Sequence, residues 1–322
     1  MTLLLTRSVI ERLLDVDEAL EVLRDGFRAS PADGGPRSGP AVFPPSPLRV
    51  RSDLPGPGTA TCLMPGLLPG VPAYTVKVNA KFPGASPALR GVVCLHDLAT
   101  GELLALADSA TVTAWRTGLS AAIGTDMLAS PSARTLGFVG AGAQARVVAV
   151  GLRRLRTWAR VMACDLDPAR AAGLGADLGA DLADGPAAVA RESDVVVLAT
   201  WSRHPLLDAD ALRPGHHLTS LGADEPGKIE LSGDLLRACR VVVDDRALAG
   251  ASGALGNAGM PGAAAAATLG EILRGERPGR EGPDQCTAYA PIGLPWQDLA
   301  LTWLLYQHAA GDAQTSAIDM LG

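Results

Sequence analysis

The stretch TLGFVGAGAQARVVAVGL, residues 135–152, constrains the fold more than any other part of the chain. Apolar, strand-like residues lead into the turn Gly140-Ala141-Gly142, and a helix-like pattern follows from Gln144. The turn fits the pattern G-x-G-x-x-A. Its first glycine permits a tight turn, its second lets a pyrophosphate approach the backbone, and its small third residue lets helix and strand pack closely. A helix N-terminus at this point offers free N–H groups to phosphates, so the stretch predicts a dinucleotide-binding turn.

A carboxylate, Asp165, follows the next predicted strand, 25 residues after Gly140. In dinucleotide-binding folds an acid about 20 residues beyond the glycines accepts hydrogen bonds from the ribose 2′-hydroxyl, and its charge repels a 2′-phosphate. Capping of the helix that begins at Pro168 is the alternative role for Asp165, although Asp167 also fits it. The pattern favours NAD as the cofactor, and Arg170 close by leaves NADP as the less favoured alternative.

The order of predicted elements indicates an α/β protein with two domains. From Thr135 onward, strand-like runs alternate with helix-like segments, which is typical of βαβ units and a parallel sheet. Earlier in the chain, residues 73–80 form an extended run, and residues 91–108 predict a hairpin that turns at Ala99-Thr100-Gly101. Residues 7–29 predict one amphipathic helix.

Composition excludes several classes of partner. The 322 residues, 48% of them hydrophobic, suffice for two packed domains. A net charge of −6 provides no basic field for nucleic acid or an anionic membrane. The N-terminal MTLLLTRSVIERLL is interrupted by charges and predicts neither a signal peptide nor a membrane span. No metal-ligand pattern occurs, and the odd number of widely spaced cysteines predicts no disulfide framework and a reducing cytoplasm; they are Cys62, Cys94, Cys164, Cys239 and Cys286.

With these features in place, the chain resembles the ornithine cyclodeaminase/mu-crystallin family over nearly its whole length. The matching stretches occur in the family's order: Met64-Pro65, Lys77 with Pro83, DLATGELLALAD followed by TAWRTG, GAGAQA, GADEPGKIEL (222–231) and IGLPWQDLA (292–300). The resemblance implies a Rossmann-type parallel-sheet domain, residues 118–295, inserted into an α+β dimerisation and substrate domain. That second domain is made from both chain ends, residues 1–117 and 296–322. A homodimer is also implied.

The resemblance further assigns residues to the substrate. Arg116 and Lys77 correspond to the family's carboxylate-contacting pair, Arg37 corresponds to a third cation, and Met64 lies beside the substrate. Arginine suits this role because its planar fork meets a carboxylate bidentately. The structural alternatives are a helix-surface charge for Arg116, a loop charge for Arg37 and a solvent-facing strand lysine for Lys77. Burial would instead lower the pKa of Lys77 and allow it to deliver a proton.

Asp224 corresponds to the family's general acid/base near the substrate nitrogen. It follows the predicted strand HHLTSLG at the end where open α/β sheets place ligands, and a solvated loop carboxylate is the alternative. His216 and His217, at the start of that strand, are expected to be structural. The resemblance also implies a set of cofactor-binding residues: Thr117, Gly140, Gly142, Ala143, Gln144, Asp165, Thr200 and Gly222.

Two positions depart from the family pattern. Ornithine-cyclising members carry a glutamate where this chain has Cys62, and a thiol cannot pair with a distal ammonium. The usual F-[DK]-S-x-G is replaced by Tyr289-Ala290-Pro291-Ile292-Gly293, which lacks the serine hydroxyl. The sequence therefore favours an NAD-dependent oxidoreductase of small α-imino or α-amino acids. A cyclodeaminase that uses NAD catalytically is the second hypothesis, and a non-catalytic binding protein is the third.

Overall fold

The structure, a computed structural model, describes residues 1–30 and 49–320. The chain divides into two compact units. Unit 1 consists of Met1–Thr117 and Leu294–Gly322, and unit 2 consists of Gly118–Gly293. Unit 2 is thus inserted in the chain between the two segments of unit 1. Its last residue is 293, whereas the sequence analysis ends the inserted domain at 295.

The elements follow one another along the chain with mostly short connections. The first part contains β1 (Thr2–Leu5), α1 (Arg7–Leu13), α2 (Val16–Ala29), β2 (Val50–Asp53), β3 (Ala60–Gly66), β4 (Ala73–Lys81), β5 (Leu89–Asp97), β6 (Leu103–Asp108) and α3 (Ser109–Leu128). The middle part begins with β7 (Thr135–Val139), α4 (Ala143–Leu155), β8 (Arg160–Cys164), α5 (Pro168–Leu178), β9 (Asp181–Leu182), α6 (Pro186–Glu192), β10 (Val195–Leu198), β11 (Arg203–Leu207) and β12 (His217–Ser220). The remainder contains β13 (Ile229–Leu231), α7 (Gly233–Ala238), β14 (Arg240–Val243), α8 (Arg246–Ser252), α9 (Ala254–Asn257), β15 (Ala267–Thr268), α10 (Leu269–Leu273), β16 (Thr287–Tyr289), α11 (Pro295–Ala309) and β17 (Ala317–Ile318).

The described residues of unit 1 form a seven-stranded sheet in the order β17-β1-β6-β5-β4-β3-β2. Strands β2 to β6 form an antiparallel meander, which includes the hairpin expected at Ala99-Thr100-Gly101. Helix α11 packs on β3 and β4 and also on α2, where Trp296 meets Phe27 edge to face. Because strand side chains alternate between faces, Lys77 shares the helix-covered face of β4 with the buried Thr75.

The single helix expected over residues 7–29 is wrong, because two helices occupy this segment. Helix α1 ends at Leu13 and α2 begins at Val16. The Asp15 carboxylate accepts hydrogen bonds from the backbone N–H groups of Asp17 and Glu18, at 2.8 and 3.0 Å. An aspartate cap of this kind stabilises the start of a new helix. The helical spacing of the apolar residues continues almost unchanged across it, so the sequence pattern does not reveal the break.

The main sheet of unit 2 is parallel, with eight strands among the described residues in the order β15-β14-β16-β12-β10-β7-β8-β9. Alternate residues of its strands enter two hydrophobic clusters, with Val196 and Leu198 in one and Val195 and Val197 in the other. The strand order reverses at β7, between β8 and β10, and such a switch point opens a ligand crevice at the carboxyl ends of the strands. The α/β fold with a Rossmann-type sheet is therefore confirmed.

Among residues 1–30 and 49–320, none of the helices has both the length and the apolar character needed to cross a bilayer.

Candidate functional site

The turn between β7 and α4 has the geometry that the sequence pattern predicts. Gly140 adopts a φ of 94°, which L side chains rarely adopt, and an added Cβ would lie 2.6 Å from the carbonyl oxygen of Ala199. Gly142 caps α4 without a side-chain hydrogen bond, and its missing Cβ faces open space. The free N–H groups at the start of α4 are thus unobstructed, and these are the donors that a pyrophosphate needs.

Asp165 lies directly beyond the carboxyl end of β8, beside this turn. Its Oδ2 accepts a hydrogen bond from the backbone N–H of Ala141 at 2.7 Å, and its Oδ1 accepts one from Asp167 at 2.8 Å. Asp167, not Asp165, caps α5, since its Oδ1 accepts from the N–H of Ala169 at 2.9 Å. The nearby Arg170 pairs with Asp167 at 3.3 Å and is largely exposed. The structure therefore leaves Asp165 as a carboxylate anchored to the glycine turn.

The loops after β10 and β12 are joined by one buried carboxylate, that of Glu230. Its Oε1 accepts hydrogen bonds from the backbone N–H and the hydroxyl of Thr200, at 2.7 and 2.8 Å. Its Oε2 accepts from Ser220 Oγ at 2.7 Å and from the N–H of Gly222 at 2.8 Å. A Cβ on Gly222 would lie 2.1 Å from the carbonyl oxygen of Thr200, so only glycine fits. Glu230 thus holds two of the residues assigned to the cofactor.

Sequence reasoning missed the role of Glu230, although GADEPGKIEL was recognised as a motif. Burial raises the pKa of its carboxyl, and the hydrogen bonds from Ser220, Thr200 and Gly222 oppose that shift. A glutamate between the apolar Ile229 and Leu231 was the available signal. Acidic side chains are almost never fully buried unless they have partners, so a buried glutamate implies a set of donors.

Asp224 lies in the loop after β12 and is partly exposed, with 34% of its side-chain surface accessible. Lys228 Nζ donates to Asp224 Oδ1 at 2.8 Å and lies 3.5 Å from Glu225 Oε2. Burial lowers the pKa of Lys228, but Asp224 and Glu225 outweigh this and raise it overall. Trp201 packs beside the same ammonium, its ring centroid 5.9 Å away. Asp224 is therefore a reachable carboxylate with a fixed cationic partner.

Asn257, which carried no sequence signal, fixes the backbone of this loop. Its Nδ2 donates to the carbonyl oxygens of Glu225 and Lys228, both at 2.9 Å. Its Oδ1 accepts from the N–H of Gly227 at 3.0 Å. These three bonds hold the segment that follows Asp224, so its position is determined by a residue 33 places later in the chain.

The remaining residues assigned to the cofactor have mixed surroundings. Ala143 and Gln144 form the first turn of α4; Ala143 is exposed and Gln144 is partly buried. Thr117 is the last residue of the first segment of unit 1, and its buried hydroxyl has no hydrogen-bond partner among the described residues. A buried hydroxyl without a partner is unusual and is consistent with a ligand contact.

In unit 1, Lys77 and Arg116 are both buried, at 1% and 5% exposure. The alternatives of a solvent-facing lysine for Lys77 and a helix-surface charge for Arg116 are therefore excluded. Lys77 Nζ donates to Asp298 Oδ2 at 2.6 Å, and Arg116 Nε donates to Asp298 Oδ1 at 3.2 Å. Burial lowers the pKa of Lys77 to about 8; Asp298 opposes this shift, and Arg116 adds to it. Met64, also buried, is the cross-strand neighbour of Lys77.

Asp298 and Gln297 are the functional candidates that sequence reasoning missed in unit 1. Gln297 Oε1 accepts hydrogen bonds from Arg116 Nη1 and from the N–H of Leu294, both at 3.1 Å. The signal was present in IGLPWQDLA, because an aspartate there lies in the first turn of a helix whose other residues are largely apolar. A buried charge in such a helix requires an opposite charge nearby.

Three further residues were singled out from the sequence: Arg37, Cys62 and Tyr289. Arg37 lies outside the described residues. Cys62 is the cross-strand neighbour of Asn79 and lies two residues from Met64, so it faces the same side of the sheet as Lys77. Burial and Asp244 raise the pKa of Tyr289, and its hydroxyl has no hydrogen-bond partner among the described residues.

His217, the first residue of β12, and His216 just before it have structural surroundings, as expected. His217 is fully buried and hydrogen-bonds to the hydroxyls of Thr287 and Thr219, at 2.8 and 3.0 Å. His216 Nε2 lies 2.8 Å from the carbonyl oxygen of Ser193. In the part of the chain that the structure describes, no group of three or more histidine, cysteine or acidic side chains is arranged to hold a metal ion.

The model of the ornithine cyclodeaminase/mu-crystallin family matches residues 2–313. The alanine dehydrogenase of Archaeoglobus fulgidus is 32% identical over 320 residues, 96% of this chain and 95% of that protein. The Delta(1)-pyrroline-2-carboxylate reductase of Paracoccus denitrificans is 31% identical over 284 residues, 82% of this chain and 88% of that protein.

Among solved structures, an archaeal alanine dehydrogenase dimer with bound NAD matches with a TM-score of 0.87 and 28% identity, over 99% of both chains. The family match extends from β1 to beyond α11 and so includes both units. It also includes Lys77, Arg116, Asp224 and the glycine turn at Gly140. The chain belongs to the ornithine cyclodeaminase/mu-crystallin family.

Proposed function

We propose that the chain is an NAD-dependent oxidoreductase that reduces a small α-imino acid, or reductively aminates a 2-oxo acid, to an L-amino acid. The observation that carries this proposal is the open glycine turn at the switch point of the parallel sheet in unit 2. Family membership supports it, as do two relatives that are an alanine dehydrogenase and a pyrroline-2-carboxylate reductase. Both of those names denote redox chemistry at the α-carbon of an amino acid.

The residues present fit NAD. Gly140 and Gly142 would receive the pyrophosphate, because one turns the chain and the other has open space where a Cβ would be. Asp165 would accept hydrogen bonds from the adenosine ribose, since each of its oxygens retains a lone pair beyond its backbone bond. The hydroxyls of Thr117 and Thr200 are further contacts in the proposal. When bound, NADH supplies a hydride to the substrate.

Lys77 and Arg116 are proposed to bind the substrate carboxylate. Both are buried and cationic, and Asp298 neutralises one of the two charges. Lys77, Arg116 and Asp298 together therefore carry one net positive charge, which matches one substrate carboxylate. Arg37 is proposed as a third cation from the family resemblance, and Met64 as an apolar neighbour of Lys77.

Asp224 is proposed to exchange the proton on the substrate nitrogen. Reduction of a C=N bond places a hydride on carbon and a proton on nitrogen, so a carboxyl within reach of the nitrogen is needed. Asp224 suits this role because part of its surface is accessible and Lys228 and Asn257 fix its loop. Lys77 is the alternative proton donor in this proposal, since burial lowers its pKa to about 8.

A cyclodeaminase is the competing function within the same family. It would require a counter-charge for the distal ammonium of a diamino acid. Cys62 occupies the position where cyclising members carry glutamate, on the same sheet face as Lys77. A thiol there cannot pair with that ammonium, so this proposal places reduction first.

The second part of the proposal is a homodimer formed through unit 1. Val50, Leu63 and Val78 are register neighbours on three adjacent strands, and all three are exposed, at 44%, 39% and 37%. They lie on the face of β4 opposite to Lys77, and α11 packs against β4. An apolar row of this kind is typical of a protein interface, and a second copy of the chain is the proposed occupant.

The function is tested by incubating the purified chain with NADH, a series of 2-oxo acids and either ammonia or methylamine. We expect consumption of NADH, followed by its absorbance, in equal amount to the amino acid formed. Ornithine and lysine with catalytic NAD form the second arm. Release of ammonia without net change in NAD would identify a cyclodeaminase and overturn the proposed reductase.

The cofactor contacts are tested by Gly142→Ala, with Gly233→Ala on α7 as the control. A methyl group on Gly142 has room in the folded chain, so the unfolding midpoint is expected to stay unchanged while the affinity for NADH falls. The same methyl group on Gly233 meets nothing closer than 3.4 Å and is expected to change neither. Unchanged NADH affinity in Gly142→Ala would remove this turn from the binding site.

The dimer is tested by light scattering on the wild type, Leu63→Lys and the control Leu182→Lys. Leu182 is 57% exposed, belongs to unit 2 and is not part of the proposed interface row. We expect a dimer for the wild type and for Leu182→Lys, and a monomer for Leu63→Lys. A dimeric Leu63→Lys protein would contradict the proposed interface.

A further inference from the structure

The described residues of unit 1 contain a buried ionic cluster, which we define as Lys77, Arg116 and Asp298. Asp298 is 1% exposed, and each of its carboxylate oxygens faces a different cation, at 2.6 Å for Lys77 Nζ and 3.2 Å for Arg116 Nε. The three side chains come from β4, α3 and α11. One acid therefore connects two cations that belong to separate elements.

The charges that face Lys77 make Asp298 the counter-ion on which its charge depends. Burial lowers the pKa of Lys77 to about 8, Arg116 and Arg49 add to this shift, and Asp298 alone among these charges opposes it. The neutral groups near the ammonium are the Thr113 hydroxyl, at 3.4 Å, and Asn79 on the same sheet face. Removal of the Asp298 charge would leave Lys77 surrounded by cations in a desolvated position.

The same carboxylate orients the guanidinium of Arg116. Asp298 Oδ1 accepts from Nε, and the adjacent Gln297 accepts from Nη1 at 3.1 Å. Among residues 1–30 and 49–320, Nη2 of Arg116 makes no hydrogen bond. Two consecutive residues in the first turn of α11 thus hold the guanidinium plane through two of its five N–H groups. One N–H on Nη1 and both on Nη2 remain for a carboxylate ligand.

We propose that Asp298 is a positioning residue, which holds Lys77 charged and Arg116 oriented so that together they receive the substrate carboxylate. This inference rests on the proposed function, because it assigns Lys77 and Arg116 to a carboxylate ligand. Asp298 itself touches neither substrate nor cofactor in this role. It acts through the two cations, and its loss is felt mainly in substrate binding.

A purely structural role for Asp298 predicts different behaviour. Buried ion pairs often contribute little to net stability, and a purely structural pair changes the apparent kcat through the folded fraction while leaving KM unchanged. A positioning role changes the KM of a carboxylate substrate and the pH at which Lys77 loses its proton. The KM and the pH profile of kcat/KM therefore separate the two roles.

The first experiment compares the wild type with Asp298→Asn, Asp298→Glu and Thr302→Val. Thr302 is a matched control, because it is buried on the same helix and its hydroxyl has no partner in the described part of the chain. Asp298→Asn is expected to raise KM at least about tenfold, as for loss of a charged hydrogen bond. The alkaline limb of its kcat/KM profile is expected to move down by about one pH unit or more, because removal of a negative neighbour lowers a lysine pKa.

Asp298→Glu keeps the charge but shifts it by one methylene group. We expect a raised KM with the alkaline limb near its wild-type position, whereas Thr302→Val is expected to match the wild type in both. The affinity for NADH is expected to stay within about twofold in all variants, since the cluster does not bind the cofactor. An Asp298→Asn protein with the wild-type KM and pH profile would overturn the inference.

A double-mutant cycle with Lys77→Gln tests the inference in a second way. Lys77→Gln combined with Asp298→Asn replaces the buried Lys77–Asp298 pair by two neutral side chains and leaves Arg116 as the remaining charge of the cluster. The rise in KM caused by Asp298→Asn is expected to be smaller in the Lys77→Gln background than in the wild type, because only the orientation of Arg116 is then lost. Equal effects in both backgrounds would overturn the inference.

Binding of L-alanine and L-proline, measured by calorimetry in the presence of NADH, distinguishes failure of the inference from failure of the function. A wild-type chain that neither turns over the substrate series nor binds these amino acids would overturn both. An active wild type whose Asp298→Asn variant is indistinguishable from it would overturn only the positioning role.

Discussion

The two units bear their candidate groups in different ways. In unit 1, Lys77, Arg116 and Asp298 are buried and already paired with one another. In unit 2, Asp224 is accessible, with one local cationic partner four residues away in Lys228. Paired, desolvated charges have fixed positions and can bind a ligand there. A group that exchanges a proton with the ligand must instead be accessible to it. In the proposed function, the buried cluster accordingly binds the substrate and Asp224 takes part in the chemistry.

The largest expected effect comes from Asp224→Asn, which keeps the shape of the side chain but cannot exchange a proton near neutral pH. We expect kcat to fall at least about a hundredfold, in the range of general acid–base catalysis, with NADH affinity nearly unchanged. Steady-state kinetics and cofactor titration measure both. Glu225→Gln, a neutralised carboxylate in the same loop, is the control and is expected to keep its kcat. A near-normal kcat in Asp224→Asn would indicate that Lys77 transfers the proton, and it would contradict the assignment of chemistry to the accessible carboxylate.

Arg116→Lys tests the other side of the comparison. Lysine keeps the charge but loses the planar set of donors to Asp298, Gln297 and the substrate. KM is expected to rise about thirtyfold with little change in kcat, because the contact is made in ground and transition states alike. The exposed pair formed by Arg12 and Asp312 gives the control Arg12→Lys, which is expected to change neither constant. A fall in kcat at constant KM would show that the cluster takes part in the chemistry.

Asp165 in unit 2 combines a local structural role with a proposed contact to the cofactor. NADH is expected to bind at least about tenfold better than NADPH, since a 2′-phosphate would meet the carboxylate. Asp165→Ser should narrow this difference in affinity, whereas Asp167→Ser, which keeps an oxygen to cap α5, should leave it unchanged. Fluorescence titration with both cofactors measures this. Equal affinities in the wild type would exclude Asp165 from the cofactor site.

The smallest effect concerns His216, a buried titratable group to which no catalytic role is assigned. Burial and Arg213 lower its pKa to about 4, below the ordinary value of 6.5. The unfolded chain therefore binds more protons below pH 6.5, and stability is lost as pH falls from 6.5 towards 4. Between pH 7 and pH 6, this residue is expected to lower the free energy of unfolding by at most about 1 kcal/mol. His217, whose pKa burial also lowers, acts in the same direction.

Urea unfolding of the wild type and of His216→Gln at both pH values measures this contribution. The variant is expected to show a smaller change in unfolding free energy between pH 7 and pH 6. An identical change in both proteins would show that folding does not lower the pKa of His216 and would contradict this prediction.

Unit 2 was largely predictable because its signals are local. The strand, the Gly140 turn and the helix follow one another within 18 residues, and backbone geometry imposes glycine at the point where φ is positive. The cap formed by Asp167 and the location of Asp165 at the end of β8 also follow from their distances to neighbouring strand and helix ends. Glu230 and Asn257 were missed because their partners lie in other loops, and no spacing rule connects them.

Unit 1 was predictable in outline but not in its interactions. The hairpin of β5 and β6 follows from alternation and a turn, and the break at Asp15 was hidden because helical periodicity continues across it. The resemblance named Lys77 and Arg116, but it did not indicate that both face Asp298. A charge in an apolar helix predicts a partner without identifying it.

The sequence by itself determined the local rules of this protein: which segments turn, which alternate as strands and helices, and where a pyrophosphate fits the backbone. These depend on residues within a few positions of one another, for which steric and hydrogen-bonding preferences suffice. Only the tertiary structure decided the ionic cluster, since Lys77 and Asp298 are 221 residues apart in the chain. The packing of α11 on β4 brings them within 2.6 Å, and desolvation there is what makes a lysine depend on one aspartate.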